Sequence, residues 1–192
     1  YAKANTIDWL EIRSYSGGDT IGAYFDLANG VLGDALYRSA IDAKIEAVGN
    51  GWYKCSVTGN TNGTNTYVRI ALADSDNGAT YLGDGNGSIY IQDAQLEIGL
   101  AATDYIESGA TTGKAGLLED EPRFDYSGGA TCPSLLLEPS RTQYIPYTEY
   151  LSGLSGDAGL DFNYNDATSP EGLANAVQVV SNNTGQSYFG YF

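Results

Sequence analysis

Eleven residues stand out for the chemistry they would do together. Alternation along the predicted strands puts Trp9, Glu11, Arg13, Tyr24, Asp26, Trp52, Lys54, Tyr67, Arg69, Tyr90 and Gln92 on the outward side of their strands. If those strands are neighbours, aromatic rings stand beside hydrogen-bonding and charged groups on one surface. A sugar is held in this way: a ring stacks on the sugar's C–H face while fixed polar groups read its hydroxyls. The same aromatic residues would equally pack against a second layer, a linker or an adjacent subunit, because Tyr and Trp are enriched at interfaces. The residues alone leave both readings open.

Catalysis has little support. The chain has no histidine, which excludes Ser-His-Asp and Cys-His systems and histidine-based zinc catalysis. Glu11 and Asp26 form an available carboxylate pair for glycoside hydrolysis, yet acidic residues on a sheet surface are ordinary, so the expectation is a protein that is not an enzyme. The runs Asp74-Ser75-Asp76-Asn77-Gly78 and Gly83-Asp84-Gly85-Asn86-Gly87 offer Asp74, Asp76 and Asp84 to a calcium ion. They lack the EF-hand register, and turn formation by Asp, Asn and Gly accounts for them as well. Cys55 and Cys132 have neither a CxxC spacing nor a histidine to complete a zinc set. Cys55 shares a strand face with Tyr53 and Val57, which predicts a buried free thiol, with a Cys55–Cys132 bridge as the other reading.

The elements that must carry these residues are strands. In 192 residues there are 25 glycines and 16 tyrosines but no methionine, a balance of turn and strand formers that points to an all-β chain. The length suits one sandwich plus a linker. A net charge of −15 with only 9 Lys and Arg excludes a phosphate-backbone partner, since nucleic acid needs clustered cations. No apolar run is long enough for a membrane span, and the opening residues do not show a basic-then-apolar leader, so the chain is expected to be soluble as given; lacking an initiator methionine, residue 1 is not expected to be the biological start.

Strands are predicted over 7–13, with Leu10 and Ile12 inward, over 23–27, with Phe25 and Leu27 inward, and over 66–72, with Val68, Ile70 and Leu72 inward. Residues 43–48 and 52–58 form a hairpin around Asn50-Gly51, and Asn29-Gly30 marks another turn. A glycine-rich loop then leads to a closing strand at 89–97, giving five or six strands in residues 1–98. Residues 99–121 read as a surface linker, and Leu135-Leu136-Leu137 as a short buried strand or tie. Residues 174–180 and Tyr188-Phe189-Gly190-Tyr191-Phe192 resume strand character.

Asn50-Gly51-Trp52-Tyr53-Lys54-Cys55, the run from Gly87 through Ile89-Tyr90-Ile91-Gln92-Asp93-Ala94-Gln95-Leu96-Glu97, and Ala102-Thr103-Asp104-Tyr105-Ile106 carry a resemblance. They look like the second half of the carbohydrate-binding-module-like jelly rolls in structural proteins of tailed bacteriophages. The stretch from Pro122-Arg123-Phe124-Asp125-Tyr126 to Arg141 is similar to the linker between such modules, and Ser169-Pro170-Glu171-Gly172 resembles an early strand. The resemblance implies a jelly-roll β-sandwich of the concanavalin or carbohydrate-binding-module type. Its divisions would be later strands in 1–98, an inter-module linker in 99–150 and opening strands in 151–192. With later strands first, the C-terminal segment must complete either its own sandwich or a neighbour's. The implied role is a subunit of a phage or phage-like extracellular fibre or appendage, in the virion or outside the cell, assembling head to tail with copies of itself. The alternative is an adhesion module binding a host surface glycan. A structural calcium ion is the one cofactor the resemblance brings, with Asp93 and Glu97 as further ligands by analogy.

Overall fold

The computed structural model describes residues 1–16, 19–37, 40–60, 66–78, 85–99, 102–108, 113–115, 124–125, 134–135, 141–145, 147–148, 155–156, 160–182 and 188–191. These residues are all-β and build two six-stranded sheets. The first sheet runs β14 (Leu160–Ala167), β15 (Ala176–Ser181), β8 (Ser88–Ile91), β1 (Ala2–Ala4), β6 (Trp52–Gly59) and β5 (Ala40–Gly49). The second runs β13 (Ser155–Gly156), β16 (Tyr188–Tyr191), β7 (Thr66–Ala73), β2 (Trp9–Ser16), β3 (Asp19–Asp26) and β4 (Val31–Leu36). All their pairings are antiparallel. The sheets pack face to face as a β-sandwich. Leu10, Ala23, Phe25 and Leu72 from the second meet Ala2, Ile89, Ile91, Val177 and Val179 from the first in one buried cluster.

The local chemistry explains the strands. On β2 and β3 every second residue enters the core, and their register sets Leu10 against Phe25 and Ile12 against Ala23, so apolar residues share one face. The turn between β5 and β6 puts Asn50 at φ 53° and Gly51 at φ 79°, the left-handed pair that a two-residue hairpin needs. After β3, the Asp26 carboxylate accepts hydrogen bonds from the backbone N–H groups of Ala28 and Asn29, and the chain reverses into β4. Asp26 is therefore a turn-forming residue.

Three corrections follow from the sheets. Residues 1–98 contribute eight strands among the described residues, not five or six. β1 had no readable pattern because Ala2-Lys3-Ala4 alternates nothing large, yet it lies between β8 and β6. Parts of the expected 99–150 linker are buried structure. The Gln143 side-chain oxygen accepts from the N–H of Leu96 and of Ile145, and its amide donates to the Ala94 carbonyl. Ile106, Ser108, Ile145 and Thr148 are buried with it. Within the same region β9 (Gly113–Ala115) pairs with β12 (Arg141–Gln143), and β10 (Phe124–Asp125) with β11 (Ser134–Leu135). The rest of the proline-flanked stretch, including Leu136 and Leu137, lies outside the described residues, as does Cys132.

The reversed order of the halves is resolved within one chain. β15 pairs with β8, in a register that sets Val177 against Ile91 and Val179 against Ile89. β16 pairs with β7. Polypeptide from the last fifth of the chain thus lies on a strand from the first half in each sheet, and Val177 and Val179 are fully buried. Deleting residues 160–192 is expected to abolish cooperative unfolding by leaving β7 and β8 as open edges over an uncovered core. Val179→Ala is expected to cost about 2 kcal/mol in urea denaturation. A truncated chain that melts cooperatively as a monomer would refute this dependence.

Candidate functional site

The outer face of the second sheet, away from the core, collects most of the residues that the alternation singled out. Along β2 it carries Trp9, Glu11, Arg13 and Tyr15. Tyr24 of β3 lies opposite Glu11, while Arg69 and Tyr67 of β7 lie opposite Arg13 and Tyr15. The centre of this face is a buried ion cluster. The Glu11 carboxylate has no solvent-exposed surface. One of its oxygens accepts from the Arg69 guanidinium at 2.6 Å. The other accepts from the hydroxyls of Tyr37 at 2.6 Å and Tyr24 at 2.9 Å, and from the Arg13 guanidinium.

Burial by itself would push the Glu11 carboxyl up. The hydrogen bonds from Tyr37 and Arg69, with the positive charges of Arg69 and Arg13, outweigh it and hold the group below the usual carboxylate range. Burial and the bond to Glu11 push the Tyr37 phenol far up, and burial does the same for Tyr24. Both phenols therefore stay protonated and act as donors. The Arg13 guanidinium also lies over the rings of Tyr37, 4.4 Å from its centroid, and Tyr15, at 5.3 Å. Its bond to the Tyr15 hydroxyl joins that ring to the cluster.

Two glycines let rings lie along the sheet. A Cβ at Gly22 would stand 2.7 Å from Tyr37 Cδ2 and 2.7 Å from the Ile12 carbonyl oxygen, so only glycine accommodates this ring over β3. A Cβ at Gly33 of β4 would stand 2.5 Å from Asp76 Oδ1 and 3.1 Å from the Trp9 indole, so the Asp76 carboxylate and the indole edge share this space. Trp9 therefore reaches from β2 across β3 to β4, with its ring laid over the sheet. At the other end Tyr15 and Tyr67 stack with centroids 4.8 Å apart, and Tyr67 is 37% exposed.

The remaining predicted residues are elsewhere, and the single outward face divides into two. Trp52, Lys54 and Tyr90 belong to the first sheet, and Gln92 directly follows its β8, all on the opposite side of the molecule from Glu11. Trp52 is 1% exposed, and its indole N–H donates to the Thr168 carbonyl. Lys54 donates to the Thr103 carbonyl, and Gln92 is buried. Described chain from 93–99, 102–108 and 168–175 lies against these side chains through contacts such as those of Thr103 and Thr168, so Trp52 is a packing residue. Alternation fixes which side of a strand a residue takes, but not which sheet the strand joins. Tyr15 and Tyr37 were missed. Tyr15 simply continues the β2 alternation past Arg13, whereas Tyr37 joins the cluster only through the bend of β4.

For metal, the sequence named Asp74, Asp76 and Asp84. Asp74 accepts from the Ser75 hydroxyl and Asp76 from the Asp34 N–H, both as loop-fixing contacts, and Asp84 lies outside the described residues. Glu97 is engaged by the N–H and hydroxyl of Thr103 and by Gln95. Asp93 lines a shallow cleft of about 160 Å³ with Tyr105, Glu107 and Glu171. Among the described residues no group of three His, Cys, Asp or Glu side chains is arranged to hold a metal ion. Cys55 is a free thiol packed against the core, where burial pushes it up to about 12, so it stays protonated.

Comparison with protein-family models, with curated proteins and with solved structures finds no match to the chain.

Two outcomes test this geometry. Glu11→Gln is expected to lower stability by about 3 kcal/mol, because it leaves the buried Arg69 and the partly buried Arg13 guanidinium groups facing each other without their counter-charge. The depressed carboxyl also sets the sign with pH. Its stabilisation is fully present above the unfolded glutamate range near pH 4.3 and is lost as pH falls through the lower folded value. Urea midpoints across pH 2 to 7 would show a steeper acid decline for the wild type than for Glu11→Gln. Gly22→Ala is expected to destabilise by about 1–3 kcal/mol through overpacking and to lower the near-ultraviolet circular dichroism from displaced tyrosines.

Proposed function

We propose that this chain is a non-catalytic glycan-binding β-sandwich module, and that the outer face of β2, β3 and β7 is its binding surface. The observation that carries the reading is the combination on that face of sheet-lying aromatic rings with a buried, fully ion-paired centre. Trp9, Tyr15 and Tyr67 present ring surface suited to the C–H face of a sugar, and the Glu11 cluster fixes the surrounding side chains before a ligand arrives. A preformed site avoids the ordering cost that mobile side chains would impose on weak, hydroxyl-rich ligands. Among the described residues of this face the Glu11 carboxylate is taken up by Arg13, Arg69, Tyr24 and Tyr37 and the Asp26 carboxylate by the turn after β3, which supports a binding role.

The resemblance to phage appendage modules supports placing this recognition outside the cell or on a virion, against a surface polysaccharide of a host. In that setting the acidic chain serves solubility in a crowded assembly. Head-to-tail assembly by strand donation has a weaker basis, because both sheets already receive their C-terminal strands in cis.

A glycan array followed by calorimetry is the test. Trp9→Ala and Tyr67→Ala are each expected to weaken binding at least tenfold, about 1.4 kcal/mol or more, with the far-ultraviolet spectrum unchanged. Tyr164→Ala, an exposed aromatic on the edge of the other sheet, should leave binding intact. Trp52→Ala should instead lose about 3–5 kcal/mol of stability. Binding that survives Trp9→Ala and Tyr67→Ala but not Tyr164→Ala would move the site off this face.

A further inference from the structure

The partly exposed aromatic rings on this face run from one end to the other. Trp9, partly exposed, occupies one end of β2. Partly exposed Tyr15, stacked on Tyr67, occupies the other. Between them Glu11 and Tyr24 are buried and Arg69 is 7% exposed, while Tyr37 and Arg13 are partly exposed, so the middle of the platform offers a narrower contact surface that links the two ends. Six residues of extended strand separate Trp9 from Tyr15, about 20 Å at the usual antiparallel rise. That span exceeds a single sugar ring and matches a short run of linked sugars.

We propose that the ligand is a linear polysaccharide bound along β2 through an internal stretch of its chain, with one sugar on Trp9 and another, several units away, on the Tyr15–Tyr67 pair. The proposal rests on the glycan reading above and adds the ligand's form. A monosaccharide or a branched terminal epitope reaches only one aromatic end. A continuous chain reaches both, and once one end is seated the second contact forms at the high effective concentration set by the intervening sugars. The two ends are held in fixed register, because the β2–β3 and β2–β7 ladders run unbroken from Trp9 to Ser16. The intervening strand cannot shorten to let one small ligand touch both.

The experiment uses the full chain with a panel of purified polysaccharides: a neutral β-glucan, a galactan and a polygalacturonate. Disaccharide, tetrasaccharide and octasaccharide fragments are then prepared from whichever polymer is retained. The expected result is affinity that rises on the order of a hundredfold from disaccharide to octasaccharide. In Trp9→Ala and in Tyr67→Ala that rise should flatten, with the octasaccharide binding like the disaccharide. Circular dichroism of each variant separates loss of an end from loss of the fold. If disaccharide and octasaccharide bind the wild type equally, the extended mode is overturned while glycan recognition stands. A length dependence unchanged in both variants would likewise overturn the two-ended mode. Failure of every polymer to bind would overturn both readings.

Discussion

The structure depends on backbone pairing between segments far apart in the chain. β7 and β8 both lie in the first half of the chain, yet each is flanked on one side by polypeptide from the last fifth, β16 and β15. Without those partners, two rows of backbone N–H and C=O groups would be open, and Ile89, Ile91 and Leu72 would lose part of their cover. The contacts are therefore non-local, and such topologies close slowly because loop entropy is lost before any contact rewards it. Once closed, the remaining edges are guarded. β14 carries an irregularity between Asn163 and Ala167, and β5 has register shifts at both ends with Lys44 midway along it. Both features discourage further strand addition.

The Glu11 cluster depends on that closure. Arg13 and Arg69 sit directly opposite each other on β2 and β7, a pairing of like charges that a sheet surface disfavours. Glu11, two residues from Arg13 on the same face, reaches both guanidinium groups and makes the pairing tolerable. Tyr24 and Tyr37 supply further donors to its carboxylate. The result is a polar centre whose geometry is fixed by mutual satisfaction, on which Tyr15 and Tyr37 are held by contact with Arg13. Stability and the proposed recognition share these groups: those that make the face rigid also place the rings that would meet a ligand.

The opposite side of the sandwich has a different fate. Trp52, Lys54 and Gln92 have the residue types of a binding surface, but described chain from 93–99, 102–108 and 168–175 lies against them. Gln143 ties this cover together by bridging Ala94, Leu96 and Ile145. A buried amide that satisfies three backbone groups compensates a segment with few large apolar residues, which is why small, polar sequence folds here as structure.

The sequence by itself determined that the chain is all-β, which residues of β2, β3, β6 and β7 face the core, and where the Asn50-Gly51 hairpin turns. These follow from two-residue alternation and from the backbone freedom of Asn and Gly, both local properties. It also placed Trp9, Glu11, Arg13, Tyr24, Tyr67 and Arg69 on outward faces, because side-chain direction repeats along a strand. Only the tertiary structure decided which strands are neighbours, and so joined these six on one sheet while sending Trp52, Tyr90 and Gln92 to the opposite side of the molecule. It alone brought Tyr37 to Glu11 over Gly22, and Val177 and Val179 to β8. The physical reason is that sheet membership is settled by pairing between distant segments and by burial of the whole, and neither leaves a mark at the spacing of two or three residues.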